Sequence, residues 1–125
     1  MFDHLSLGVR DLAAARGFYD ALLAPLGASL VSAGDKELGY GPAGLAAQFY
    51  LYPVAAGPIP GQGTHVALAA ETRLAVDAAF ALAVAHGATV IRAAGAHPDI
   101  APDYYGAVFL DPDGNKLEIV AGTMH

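Results

Sequence analysis

From Asp3 to Val9 apolar and polar positions alternate, with Leu5, Leu7 and Val9 on one side and His4, Ser6 and Gly8 on the other. A period of two is that of a half-buried strand, and it turns His4 away from the apolar face. At Asp11 the period changes. Leu12, Ala15, Phe18, Tyr19, Leu22, Leu23 and Leu26 recur at helical spacing, Asp11 is suited to cap the helix, and Gly27 supplies a stop. Three further strands are predicted at residues 28–31, 37–40 and 46–52, the last with Gln48, Tyr50 and Tyr52 on one face. The first unit is therefore read as βαβββ.

Residues 53–63, rich in proline and glycine, break the pattern. A second copy then begins. His65-Val66-Ala67-Leu68 repeats His4-Leu5-Ser6-Leu7, Thr72 can cap a helix whose buried stripe is Val76, Phe80, Ala83 and Val84, and Gly87 stops it as Gly27 stops the first. Ala88-Thr89-Val90-Ile91 matches Ala28-Ser29-Leu30-Val31 as a strand. Residues 92–106 read as an inserted loop, followed by strands at 107–110 and 116–120 around the turn Asp111-Pro112-Asp113-Gly114. The expected class is α+β: two tandem βαβββ modules forming one domain, module one at about 1–53, a linker at 54–63 and module two at 64–122.

The duplication gives four polar residues a shared meaning. Gly41-Pro42-Ala43-Gly44-Leu45-Ala46-Ala47-Gln48 aligns with Asp111-Pro112-Asp113-Gly114-Asn115-Lys116-Leu117-Glu118, which pairs Gln48 with Glu118 as His4 pairs with His65. Each lies opposite the apolar side chains of its strand, so all four are expected on the open, concave side of the sheet. Two imidazoles, a carboxylate and an amide oxygen make a borderline donor set suited to a divalent Zn, Ni, Co, Mn or Fe ion. Gln48 is the weakest donor of the four. His86, at a helix end, and His125, at the chain end, are read as structural or outside any site, whereas His97, Tyr104 and Tyr105 in the inserted loop are candidate substrate contacts, with Tyr50 and Tyr52.

Composition removes several function classes. There is no cysteine, so disulfides, thiolate nucleophiles and cysteine-based zinc sites are excluded. Six Lys+Arg against 12 Asp+Glu give a formal charge of −6, with the basic residues scattered, which argues against a nucleic-acid partner. No apolar run approaches the roughly 20 residues that span a bilayer, and the first residues lack the pattern of a secretory leader, so a cytoplasmic protein is expected. With 55% hydrophobic residues the chain has more apolar surface than a small monomer readily hides, and a homodimer is expected.

Taken with these residues, the stretches DHLSLGVRDL, GFYDALLAPLG, THVAL and FLDPDGNKLEIV resemble the vicinal oxygen chelate superfamily: glyoxalase I, fosfomycin-resistance transferases, extradiol dioxygenases and bleomycin-resistance proteins. The resemblance covers nearly the whole chain. It implies a cupped sheet of eight strands with helices on its outer face, and a divalent metal held at His4, Gln48, His65 and Glu118. It also implies a small oxygen-rich substrate chelated through neighbouring oxygens by a lyase or isomerase, with Glu118 as the catalytic proton-transfer group. Alternatives within the family are a dioxygenase and a non-catalytic small-molecule binding protein of the bleomycin-resistance type. Gly8 and Tyr52 stand where glyoxalase I relatives often carry Arg and Asn, which argues against glutathione as a substrate.

Overall fold

The computed structural model describes residues 2–59 and 63–121, so His125 lies outside the described residues. The first half forms β1 (Leu5–Val9), α1 (Leu12–Leu23), a single 3-10 turn (Ala24–Leu26), β2 (Ala28–Ala33), β3 (Leu38–Pro42) and β4 (Phe49–Pro53). The second forms β5 (Val66–Ala69), α2 (Arg73–Ala85), β6 (Thr89–Ala96), β7 (Tyr105–Leu110) and β8 (Lys116–Ala121). The strand orders, β1-β4-β3-β2 and β5-β8-β7-β6, are the same arrangement made twice. In each the first strand pairs parallel with the last, and the remaining pairs are antiparallel. The hydrogen bonding gives two four-stranded sheets rather than one continuous sheet of eight.

The caps fall where the sequence placed them. Asp11 accepts from the backbone N–H groups of Ala13 (2.8 Å) and Ala14 (3.3 Å), and Thr72 Oγ1 accepts from Ala75 N–H at 3.0 Å, which fixes the starts of both helices. Gly27 (φ 80°) and Gly87 (φ 101°) end them in the left-handed region. Phe18, Tyr19 and Leu22 of α1 meet Tyr40, Phe49 and Leu51 of the first sheet, all buried, and the two helices pack on each other. In α2 the buried stripe is Val76, Ala79 and Ala83. Phe80 is partly buried and Val84 is exposed, because the close approach selects the small residues and leaves the larger Val84 on the outer flank.

The second half departs from expectation at its insertion. Residues 92–96 continue β6 instead of looping, with register breaks between Val90 and Arg92 and between Arg92 and Gly95. A strand that absorbs extra residues as bulges keeps its pairing while twisting more strongly, which alternation alone does not reveal. Only residues 97–104 form the connection, closed by backbone bonds from His97 N–H to Tyr104 O (3.2 Å) and from Tyr104 N–H to Ala101 O (3.1 Å).

Candidate functional site

The first strands of the two sheets face each other across a seam without pairing, and two clefts open along it. One, of about 250 Å3, lies between Ser6, Leu7 and Gly8 on β1 and Thr64, His65 and Val66 at the start of β5. The other, of about 270 Å3, lies between His4, Leu5 and Gln48 on one side and Val66, Ala67 and Leu68 on the other. The start of one strand thus lies beside the end of the other, and β1 and β5 run antiparallel across the seam. His4 and His65 consequently sit at opposite ends of it. Among the described residues no group of three His, Asp or Glu side chains converges within the chain.

Each end has its own constellation. At the β5 end His65 Nε2 is 3.5 Å from Glu118 Oε2, and the other oxygen, Oε1, accepts a hydrogen bond from the Tyr104 hydroxyl at 2.8 Å. Glu118 reaches this position because Ala67 pairs with it across the parallel ladder, while Leu117 and Ile119 on either side point into the core. Tyr104 is 4% exposed, and burial followed by its bond to Glu118 pushes its hydroxyl up to about 12. At the β1 end His4 Nδ1 lies 2.6 Å from Asp3 Oδ1, and its ring meets that of Tyr50 edge-on, with centroids 5.6 Å apart. Tyr50 stacks in turn on Tyr52, the rings 6.3 Å apart and inclined by 24°.

The register changes the alignment of the two halves. Leu5 pairs with Phe49 and Ser6 with Tyr50, whereas Val66 pairs with Leu117 and Ala67 with Glu118. With Ser6 equivalent to Ala67, the counterpart of Glu118 is Tyr50, not Gln48. Gln48 lies beside His4 in the cleft, its backbone carbonyl accepting from Leu5 N–H at 2.9 Å. The similarly spelled turns mislead because the first is followed by Ala46 and Ala47 before Gln48 N–H rejoins Tyr40 O, whereas Asn115 leads straight into β8.

The other candidates separate by face. Tyr105 points to the helix side, where its hydroxyl donates to Asp77 at 2.7 Å and Arg73 covers its ring at 4.9 Å, so it does not reach the seam. Tyr104 is buried and uses its hydroxyl on Glu118, which makes it a support rather than a contact surface. His97 packs its ring 5.8 Å from that of Tyr104, behind the site, with Nε2 3.0 Å from Ala93 O. The partnership of Tyr104 with Glu118 was missed from sequence, although a signal existed: Val108 pairs with Glu118, and alternation back along the chain through Gly106 reaches Tyr104 on the same face. His86 lies at the helix end, Nδ1 2.9 Å from Leu82 O.

A family model described as the glyoxalase/bleomycin resistance protein/dioxygenase superfamily matches residues 1–119. Among curated proteins there is no match. Among solved structures, a glyoxalase/bleomycin resistance protein from Albidiferax ferrireducens T118 is similar at 31% identity and a TM-score of 0.85, over 98% of this chain and 99% of that one. A glyoxalase-related enzyme from Fulvimarina pelagi (22% identity, TM-score 0.75, 98% of this chain and 88% of that one) shares the fold. So does the genomically encoded fosfomycin resistance protein FosX from Listeria monocytogenes (20% identity, TM-score 0.72, 99% and 94%). The repeated sheet order, the polar face along the seam and a match that runs from the first strand into the last agree with one another, and the chain belongs to the glyoxalase/bleomycin resistance protein/dioxygenase superfamily.

Proposed function

We propose that the protein is a metal-dependent enzyme of the lyase or isomerase class acting on a small oxygen-rich substrate, with His4, His65 and Glu118 as metal ligands. The observation that carries this reading is the pair His65 Nε2 and Glu118 Oε2, 3.5 Å apart, with His65 lining the cleft at the β5 end. Two ligand atoms each about 2.1 Å from one ion lie about 3–3.5 Å from each other, so the pair fits two corners of a coordination sphere. A third protein donor is absent from that end of the chain among the described residues, and His4 supplies it when the first half of a second copy covers the second half of this one. In such a homodimer each site takes His4 from one chain and His65 with Glu118 from the other, with Gln48 beside His4 as a weaker donor.

A bound divalent ion would supply Lewis acidity to neighbouring substrate oxygens. The chain's own residues do the rest. The Glu118 carboxyl group would hold or move a proton at the carbon beside the substrate's oxygens, the Tyr104 hydroxyl would steady its Oε1, and Tyr50 and Tyr52 would form an aromatic wall that orients the substrate and excludes water. A second reading, a binding protein of the bleomycin-resistance type, is favoured by the same stacked tyrosines. Elemental analysis of the purified protein separates the two. We expect about one divalent ion per chain, lost in His4→Ala, His65→Ala and Glu118→Ala and kept in Gln48→Ala. Metal-free protein that takes up aromatic ligands would establish the binding reading instead.

A further inference from the structure

We propose that Tyr104 is a positioning residue that makes Glu118 a ligand through one oxygen only. The inference rests on the metal reading above and concerns how the carboxyl group is presented. A free glutamate can engage an ion through one oxygen or both, and each choice leaves a different number of positions open for substrate. Here the Tyr104 hydroxyl holds Oε1 at 2.8 Å, and Oε2 is the oxygen that lies 3.5 Å from His65 Nε2.

The phenol is itself held in three independent ways. Its backbone is tied at both sides, by Tyr104 N–H to Ala101 O and by His97 N–H to Tyr104 O. The His97 ring lies against its ring at 5.8 Å. The space for its hydroxyl exists because residue 106 is glycine: a Cβ there would lie 2.7 Å from the Tyr104 oxygen and 2.6 Å from Ile119 O. At the equivalent position of the first half Tyr50 stands in place of Glu118, so this carboxyl–phenol pair has no counterpart there among the described residues. The chain thus carries one carboxyl group on this face of the paired last strands and a buried hydroxyl bonded to it.

The test is a calorimetric titration of metal-free protein with Mn(II) and with Co(II), comparing the parent, Tyr104→Phe and Tyr105→Phe. Phenylalanine keeps the buried ring, so the melting temperature of metal-free Tyr104→Phe is expected within a few degrees of the parent, which confirms a folded variant. Metal affinity is expected to fall about 10–100-fold with stoichiometry unchanged, the range seen when the outer partner of a ligand is removed. The visible Co(II) bands are expected to weaken as Glu118 engages through both oxygens and the coordination number rises. Tyr105→Phe, which loses a comparable hydroxyl bond on the helix side, should bind as the parent does. Equal affinity and equal Co(II) spectra in the parent and Tyr104→Phe would overturn the positioning role alone. A parent that binds neither ion would overturn the metal reading, and this role with it.

Discussion

Asp111 is one of the two buried polar residues of the described chain, 2% exposed, and each of its carboxyl oxygens accepts two hydrogen bonds. Oδ1 takes those of Asp113 N–H and Asn115 N–H, and Oδ2 those of the Tyr19 hydroxyl (2.7 Å) and Asn115 Nδ2 (2.9 Å). Asn115 Nδ2 also donates to Gly8 O, and Arg10 N–H donates to Asp113 Oδ1, so the turn is bonded to β1, to the residue after it and to α1. The sequence showed a turn, with proline second and a glycine fourth at φ 91°, and the turn is there. Its second task was illegible, because it depends on Tyr19, a residue of the other half that no local pattern connects to Asp111. We expect Asp111→Asn to cost on the order of 3 kcal/mol, since an amide turns an N–H group towards donors, and Tyr19→Phe about 1–2 kcal/mol. Denaturant midpoints at constant slope measure both, and a cost below about 0.5 kcal/mol for Asp111→Asn would show that the clamp contributes nothing.

Elements with a strong period and a capping residue were legible: both helices, the first strand of each half, and the alternation that sets Glu118 opposite Leu117 and Ile119. What was not legible depended on neighbours in space. The buried stripe of α2 runs through Ala79 rather than Val84 because α1 lies close against it, and the extension of β6 to Ala96 needs β7 as a template. The slip of two residues between Gln48 and Tyr50 belongs here too, since a loop length is invisible until the strand pairing fixes where it ends. Two strand glycines give a test at this scale. A Cβ at Gly106 meets the backbone oxygen of Ile119 at 2.6 Å, whereas the nearest atom to a Cβ at Gly95 is His97 Nε2 at 4.0 Å. Gly106→Ala should therefore destabilise by about 1–3 kcal/mol through forced movement of β7 against β8, while Gly95→Ala stays within about 0.5 kcal/mol of the parent. Thermal unfolding of the two variants decides it, and similar effects would mean that the strand pair gives way freely.

For the whole molecule, the apolar excess read from composition is spread over the surface. Phe2, Leu45, Leu74 and Ile100 are exposed, as are Val31 on β2 and Val90 and Ile91 on β6, the outermost strands of the two sheets, and the seam between β1 and β5 leaves two further strand edges unpaired. No helix among the described residues is long and apolar enough to cross a membrane. If two copies pair so that unlike halves meet, light scattering should report a dimer at micromolar concentration. Mixing metal-free His4→Ala with Glu118→Ala should then restore metal binding at one site of each mixed dimer. In that dimer one site collects both defects and the other collects none. Sites built within single chains would stay empty after mixing, and that outcome would exclude the proposed pairing.

The pairing of Tyr50 with Ser6, where Glu118 pairs with Ala67, gives the two halves different vocabularies. One writes in charge and the other in aromatic surface, on scaffolds that are otherwise copies. On the proposed function, a change at Tyr50 or Tyr52 would alter the aromatic surface without touching the carboxyl group, and a change at Glu118 would remove the carboxyl group without touching the stacked rings. Under that proposal, selectivity and chemistry would be separately mutable, a freedom that two identical halves, supplying the same side chain at both positions, would lack.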